Sequence, residues 1–66
     1  MNLTINGEKR EVPESVVPRE LLEHLGIPAG RVVVQVNLKV LRREQLSATT
    51  LKDGDVVEII HFVGGG

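Results

Sequence analysis

The chain contains no cysteine, no tryptophan and no tyrosine, and its single aromatic side chain is Phe62. Without cysteine there can be no disulfide, no thiolate metal site and no thiol or persulfide nucleophile supplied by the chain itself. Charge of one sign is also missing: eight basic and nine acidic side chains give 8 − 9 = −1. Nucleic-acid binding draws on a basic excess and on exposed rings for stacking, so no nucleic-acid partner is expected and Arg42 and Arg43 read as a solvated corner. The longest apolar runs, such as Val32, Val33 and Val34, fall far short of the roughly 18 residues a membrane span needs. No charged-then-apolar leader opens the sequence. The expectation is a soluble cytoplasmic protein with no membrane partner.

What is present amounts to one small domain of 66 residues, 41% of them hydrophobic. A chain of this length buries only about 60% of the surface its unfolded form exposes, enough for one sheet against one helix and too little for a deep internal cavity. Leu3 and Ile5 alternate with Asn2 and Thr4, and Asn6-Gly7 supplies a two-residue turn in which both residues tolerate positive φ. A second strand over 9–12 follows, ended by Pro13. Pro18 suits the first turn of a helix running to about Leu25, with Leu21, Leu22 and Leu25 on its apolar face and Gly26 and Pro28 as its stop. Ser15 is a candidate cap, although Val17, which cannot cap, lies nearer the expected start.

Val32, Val34 and Val36 form a third strand ending at Asn37, Val40 and Leu41 a short edge strand, and 43–46 a helical turn or loop. Lys52-Asp53-Gly54-Asp55 is a turn, and 56–63 the last strand. The order is β-β-α-β-β-β. The alternation of the last strand permits two phases. Only the one that turns Val57, Ile59 and His61 inward keeps the Glu58 carboxylate out of the core. Leu3, Ile5, Leu21, Leu25, Val34, Val57 and Ile59 are then the expected core. Ile60 and Phe62 are left on the uncovered face, with Val63 beside them, as a candidate partner-binding surface.

Catalytic constellations are weak. His24 reads as a solvent-facing helical residue and His61 as partly buried at the core edge, too few ligands for a metal site. Ser15 and Ser47 have no nucleophile elbow. Asp53 and Asp55 bracket a turn and read as its side-chain-to-backbone hydrogen-bonding groups. The end of the sequence is different. Residues 1–63 read as the folded domain, and Gly64, Gly65 and Gly66 as a flexible tail that reaches roughly 10 Å when extended. Such an arm can enter a slot too narrow for any Cβ. An ionised terminal carboxylate on it can attack the α-phosphate of ATP when a partner positions both. The competing reading is an ordinary frayed terminus.

The opening strand with Asn6-Gly7, Glu20-Leu21-Leu22, Val34-Gln35-Val36-Asn37, Leu51-Lys52-Asp53-Gly54-Asp55 and the ending Glu58-Ile59-Ile60-His61-Phe62-Val63-Gly64-Gly65-Gly66 together resemble the ThiS family, the sulfur carriers of thiamine biosynthesis. The resemblance implies an α+β fold, the ubiquitin-like β-grasp: a mixed sheet with first and last strands parallel at its centre and one helix packed across one face. It implies a co-substrate of partner enzymes, with no bound cofactor. A ThiF-like adenylyltransferase would use ATP to adenylate Gly66, and sulfur from a cysteine desulfurase route would replace the adenylate to leave a thiocarboxylate. The thiazole synthase ThiG would then take that sulfur for the thiazole ring. Two alternatives stay open: a carrier for molybdopterin or tRNA thiolation, and a ubiquitin-like modifier or interaction module. Val17 in place of a Thr-like cap, and residues 38–42 without a proline before the arginine, depart from the family pattern without touching the tail.

Overall fold

The computed structural model describes residues 1–62 of the chain. Its elements are β1 (Asn2–Ile5), β2 (Glu8–Glu11), α1 (Pro18–Leu25), β3 (Val32–Val36), β4 (Lys39–Val40) and β5 (Val56–His61), with short 3-10 turns at Ala29–Arg31 and Arg43–Ser47. The strands form one sheet in the order β2-β1-β5-β3-β4. β1 and β5 pair in parallel through Thr4 with Val56 and Ile5 with Val57, and the other neighbours are antiparallel. First and last strands therefore lie side by side at the centre, with α1 across one face. This is the ubiquitin-like β-grasp.

Local chemistry sets each element. Asn6 at φ 50° and Gly7 at φ 84° make the two-residue turn, whose twist matches that of the paired strands β1 and β2. β2 begins one residue earlier than expected. All four of its side chains are exposed and charged, which blunts an edge strand against pairing with another chain. Val12 lies just past it, buried in the core.

Helix α1 starts at Pro18, where the absent N–H would have no partner in any case. Ser15 does not cap it and sits instead at φ 63° in the approach loop. Val17 occupies the cap position, and its backbone N–H donates to Glu20 Oε1 at 3.1 Å. That is half of a capping box, with the side-chain oxygen of the other half missing. At the far end Gly26 adopts φ 73°, its N–H donates to the Glu23 carbonyl, and the Ile27 N–H donates to the Leu22 carbonyl. Those two bonds satisfy carbonyls that the helix would otherwise leave open.

The core joins Leu3, Ile5, Val34, Val57 and Ile59 of the sheet to Leu21 and Leu22 of α1. Leu25 is only half-buried, because it falls in the last turn where the chain already leaves the sheet; Leu22 takes the central place. Val12, Val32, Leu46 and Leu51 complete the cluster, three of them from segments without a strand or α-helix period. His61 is exposed, not partly buried. His61 lies past the β1 pairing, which ends at Val57, and is flanked by Val32 of β3.

Leu21 is 2% exposed, so Leu21→Ala should cost about 2–5 kcal/mol. A denaturant midpoint equal to that of the unchanged protein would contradict this core. Phe62 is 59% exposed on the opposite face. Phe62→Asp should therefore keep cooperative unfolding, with stability altered by less than about 1 kcal/mol; loss of the folded state would place the ring in the core.

Candidate functional site

β5 presents its two faces alternately. Val57 and Ile59 point into the core, while Val56, Ile60 and Phe62 stand exposed on the uncovered face at 42%, 45% and 59%. Ile60 lies opposite Val33 of β3, and Val40 of β4 lies opposite Gln35 on the same side. Apolar side chains of three strands thus share this face with Glu58 and Gln35, which are paired between them, and the face borders the end of β5. Ile60 and Phe62 occupy it as expected. Val56 and Val40 extend it, and Leu38, 87% exposed at φ 70° in the β3–β4 turn, projects beyond it. The period of β5 already carried Val56. Nothing local signals Leu38, whose backbone conformation favours glycine.

Backbone bonding fixes where this strand ends. On one side β3 pairs along it to His61, and the Phe62 N–H donates to the Arg31 carbonyl at 3.0 Å. On the other side the Thr4 N–H donates to Asp55 O and the Asn6 N–H to Val57 O. Then β1 turns away, and the Asn6 carboxamide continues the pairing: the Ile59 N–H donates to its Oδ1 at 2.8 Å and its Nδ2 donates to the Ile59 carbonyl at 3.4 Å. Asn37 does the same where β5 begins. Its Oδ1 accepts the Val56 N–H at 2.9 Å, its Nδ2 donates to Asp55 Oδ1, and its own N–H donates to Val56 O. Asn6-Gly7 reads in the sequence as a turn, which hides these side-chain roles.

The acidic turn is structural. Asp55 Oδ2 accepts the Lys52 N–H at 2.8 Å and Asp53 Oδ1 accepts the Asn2 N–H at 2.6 Å, while the Gly54 N–H donates to Asn2 O. With φ of 88°, Gly54 holds the left-handed conformation that the turn requires. Ser15 and His24 both line a concavity of about 350 Å³ between α1 and the loop before it. No hydrogen bond joins them among the described residues, and Glu20 in the same concavity is engaged with the Val17 N–H. Among the described residues no group of three His, Cys, Asp or Glu could hold a metal ion, and no helix is long and apolar enough to cross a membrane. Val63, Gly64, Gly65 and Gly66 lie outside the described residues.

The ThiS family profile matches residues 3–66. The crystal structure of a thiamine biosynthesis protein (ThiS) from Geobacter metallireducens superposes with a TM-score of 0.87 at 49% identity, each chain covered over its whole length. A sulfur carrier protein ThiS of Bacillus subtilis is 46% identical over 48 residues, 73% of each chain. A thiazole synthase of Paramagnetospirillum magneticum is 38% identical over all 66 residues. The chain spans about a fifth of the length of the curated thiazole synthases it matches, 20% in each of two. With a profile match over nearly its whole length and the same β-grasp topology as its solved relative, the chain belongs to the ThiS family of sulfur-carrier proteins.

Proposed function

We propose that the protein carries sulfur for the thiazole ring of thiamine on the carboxylate of Gly66. The observation that carries this reading is the extent of the family match, which runs to residue 66 and so includes Gly64, Gly65 and Gly66. Residues 1–63 serve as the β-grasp domain and 64–66 as the arm. A ThiF-like adenylyltransferase binds ATP, and the Gly66 carboxylate attacks its α-phosphate, releasing pyrophosphate and forming an acyl-adenylate. The terminal sulfur of a persulfide from a cysteine desulfurase route then attacks the acyl carbon and AMP leaves, giving an acyl disulfide; a second thiol attacks the donor's sulfur, releasing the thiocarboxylate and leaving a disulfide on the donor.

The chain has no cysteine and so offers no side-chain persulfide, which supports the carboxylate as the place of the sulfur. Every catalytic group comes from the partners, so the carrier acts as a cytoplasmic co-substrate, with ATP bound by the adenylyltransferase. Thiazole synthase as the sulfur acceptor is supported by the two relatives of that name whose chains include a segment matching this whole domain. Ile60, Phe62 and Val63 form the contact beside the arm. The exposed side chains of Ile60 and Phe62 can be desolvated by a partner without any cost to the core.

Appending one residue after Gly66 displaces the carboxylate by about 3.5 Å and should abolish ATP-dependent adenylation, because in-line attack tolerates little misplacement. Gly65→Val should impair it by adding a branched Cβ. Pyrophosphate release with a ThiF-like adenylyltransferase, followed by intact mass after a sulfur source is added, reads both effects. Full conversion of the extended variant to a thiocarboxylate, with no residue trimmed, would overturn the assignment to Gly66. Phe62→Asp should weaken association with the adenylyltransferase by at least about 2 kcal/mol if the ring is a central contact. Unchanged affinity in a calorimetric titration would remove Phe62 from the interface.

A further inference from the structure

Asn6 does more than the turn requires. In a two-residue turn its task is to accept a positive φ, which glycine would do equally well. Its carboxamide nevertheless engages both backbone groups of Ile59, as acceptor at 2.8 Å and donor at 3.4 Å. The backbone pairing of β1 with β5 stops at Ile5 and Val57, followed only by the Asn6 N–H on Val57 O. Past Ile59, β5 continues through Ile60 and His61 with β3 alone beside it. Among the described residues the Asn6 side chain is thus the last attachment on the β1 side, three residues before Phe62.

We infer that Asn6 is a positioning residue for the chain-end reaction: by clamping the Ile59 backbone it keeps the end of β5, and the exposed Phe62 on it, in the one orientation a partner can receive. The functional half of this inference rests on the carrier reading above; the clamp itself rests on described residues alone. Strand ends held from one side only open locally more often than strands held from both. A partner that needs the ordered end then binds only the closed fraction, which lowers apparent affinity without altering chemistry in the bound state.

Asn37 supplies an internal control. It too has positive φ, 52° against 50° for Asn6, and it too bonds side chain to β5 backbone, but at Val56, the end remote from the tail. Replacing either asparagine by glycine preserves the turn conformation and removes only the carboxamide. The experiment compares Asn6→Gly, Asn6→Asp and Asn37→Gly in the full chain. Amide exchange of Phe62, whose N–H bonds to Arg31 and not to Asn6, reports opening of the strand end. Steady-state adenylation with a ThiF-like adenylyltransferase and ATP reports the consequence.

Asn6→Gly should speed Phe62 exchange about three- to tenfold, the population change that loss of one or two such bonds allows. Through the fall in the closed fraction it should also raise KM for the carrier, by a smaller factor than the rise in exchange, with kcat unchanged. Asn6→Asp keeps an acceptor for the Ile59 N–H and should restore most of both. Asn37→Gly should leave Phe62 exchange and KM as they are, even where it lowers the melting temperature. Unchanged Phe62 exchange in Asn6→Gly, an equal KM rise in Asn37→Gly, or a fall in kcat without a change in KM would each overturn the inference. Failure of the unchanged protein to be adenylated would instead strike the carrier reading, and the exchange measurement would still decide the clamp.

Discussion

The parallel pairing of β1 with β5 is the constraint on which the rest of this small structure depends. Thr4 meets Val56 and Ile5 meets Val57 across some fifty residues of intervening chain, so the bond rungs between them close nearly the whole polypeptide into one loop. Such closure is entropically costly, although the cost grows only slowly with length. It is offset where the two strands bury Leu3, Ile5, Val57 and Ile59 against Leu21 and Leu22. Because β1 also carries β2 and β5 also carries β3, this one seam joins two hairpin-like halves that could not otherwise form a single sheet.

Placing the last strand at the centre gives it two unlike faces. Residues of one parity hold the hydrophobic core, and those of the other parity, with Ile60 and Phe62 among them, stand in solvent. Side-chain direction in a strand has a period of two, so a slip of one residue would exchange the faces and put the Glu58 carboxylate inside. The fold and the presented surface are therefore set by a single register. Two asparagines at left-handed backbone positions secure that register from the ends, each substituting a carboxamide for a missing rung.

Much of this is legible in the sequence. The β1–β2 hairpin followed from Asn6-Gly7, α1 from its leucines and the stop at Gly26, and the phase of β5 from the cost of burying Glu58. These are local signals in which propensity, period and charge agree. The less legible parts were those decided at a distance. Leu46 and Leu51 are core residues in segments with no period to mark them, and Val12 is buried one residue beyond its strand. His61 obeys the alternation of its strand and is nonetheless exposed, at the end of β5 past the pairing with β1. The carboxamide bonds of Asn6 and Asn37 could not be inferred from residue type, since the same letters describe an ordinary turn. The glycine end was the plainest motif in the sequence, and it lies outside the described residues.

The sheet also ends in two contrasting margins. β4 is only two residues long, and β2 carries Glu8, Lys9, Arg10 and Glu11 along its whole length. Neither margin offers a neutral stretch on which another strand could be laid down. The charged margin thereby opposes edge-to-edge growth from one copy of this small sheet to the next.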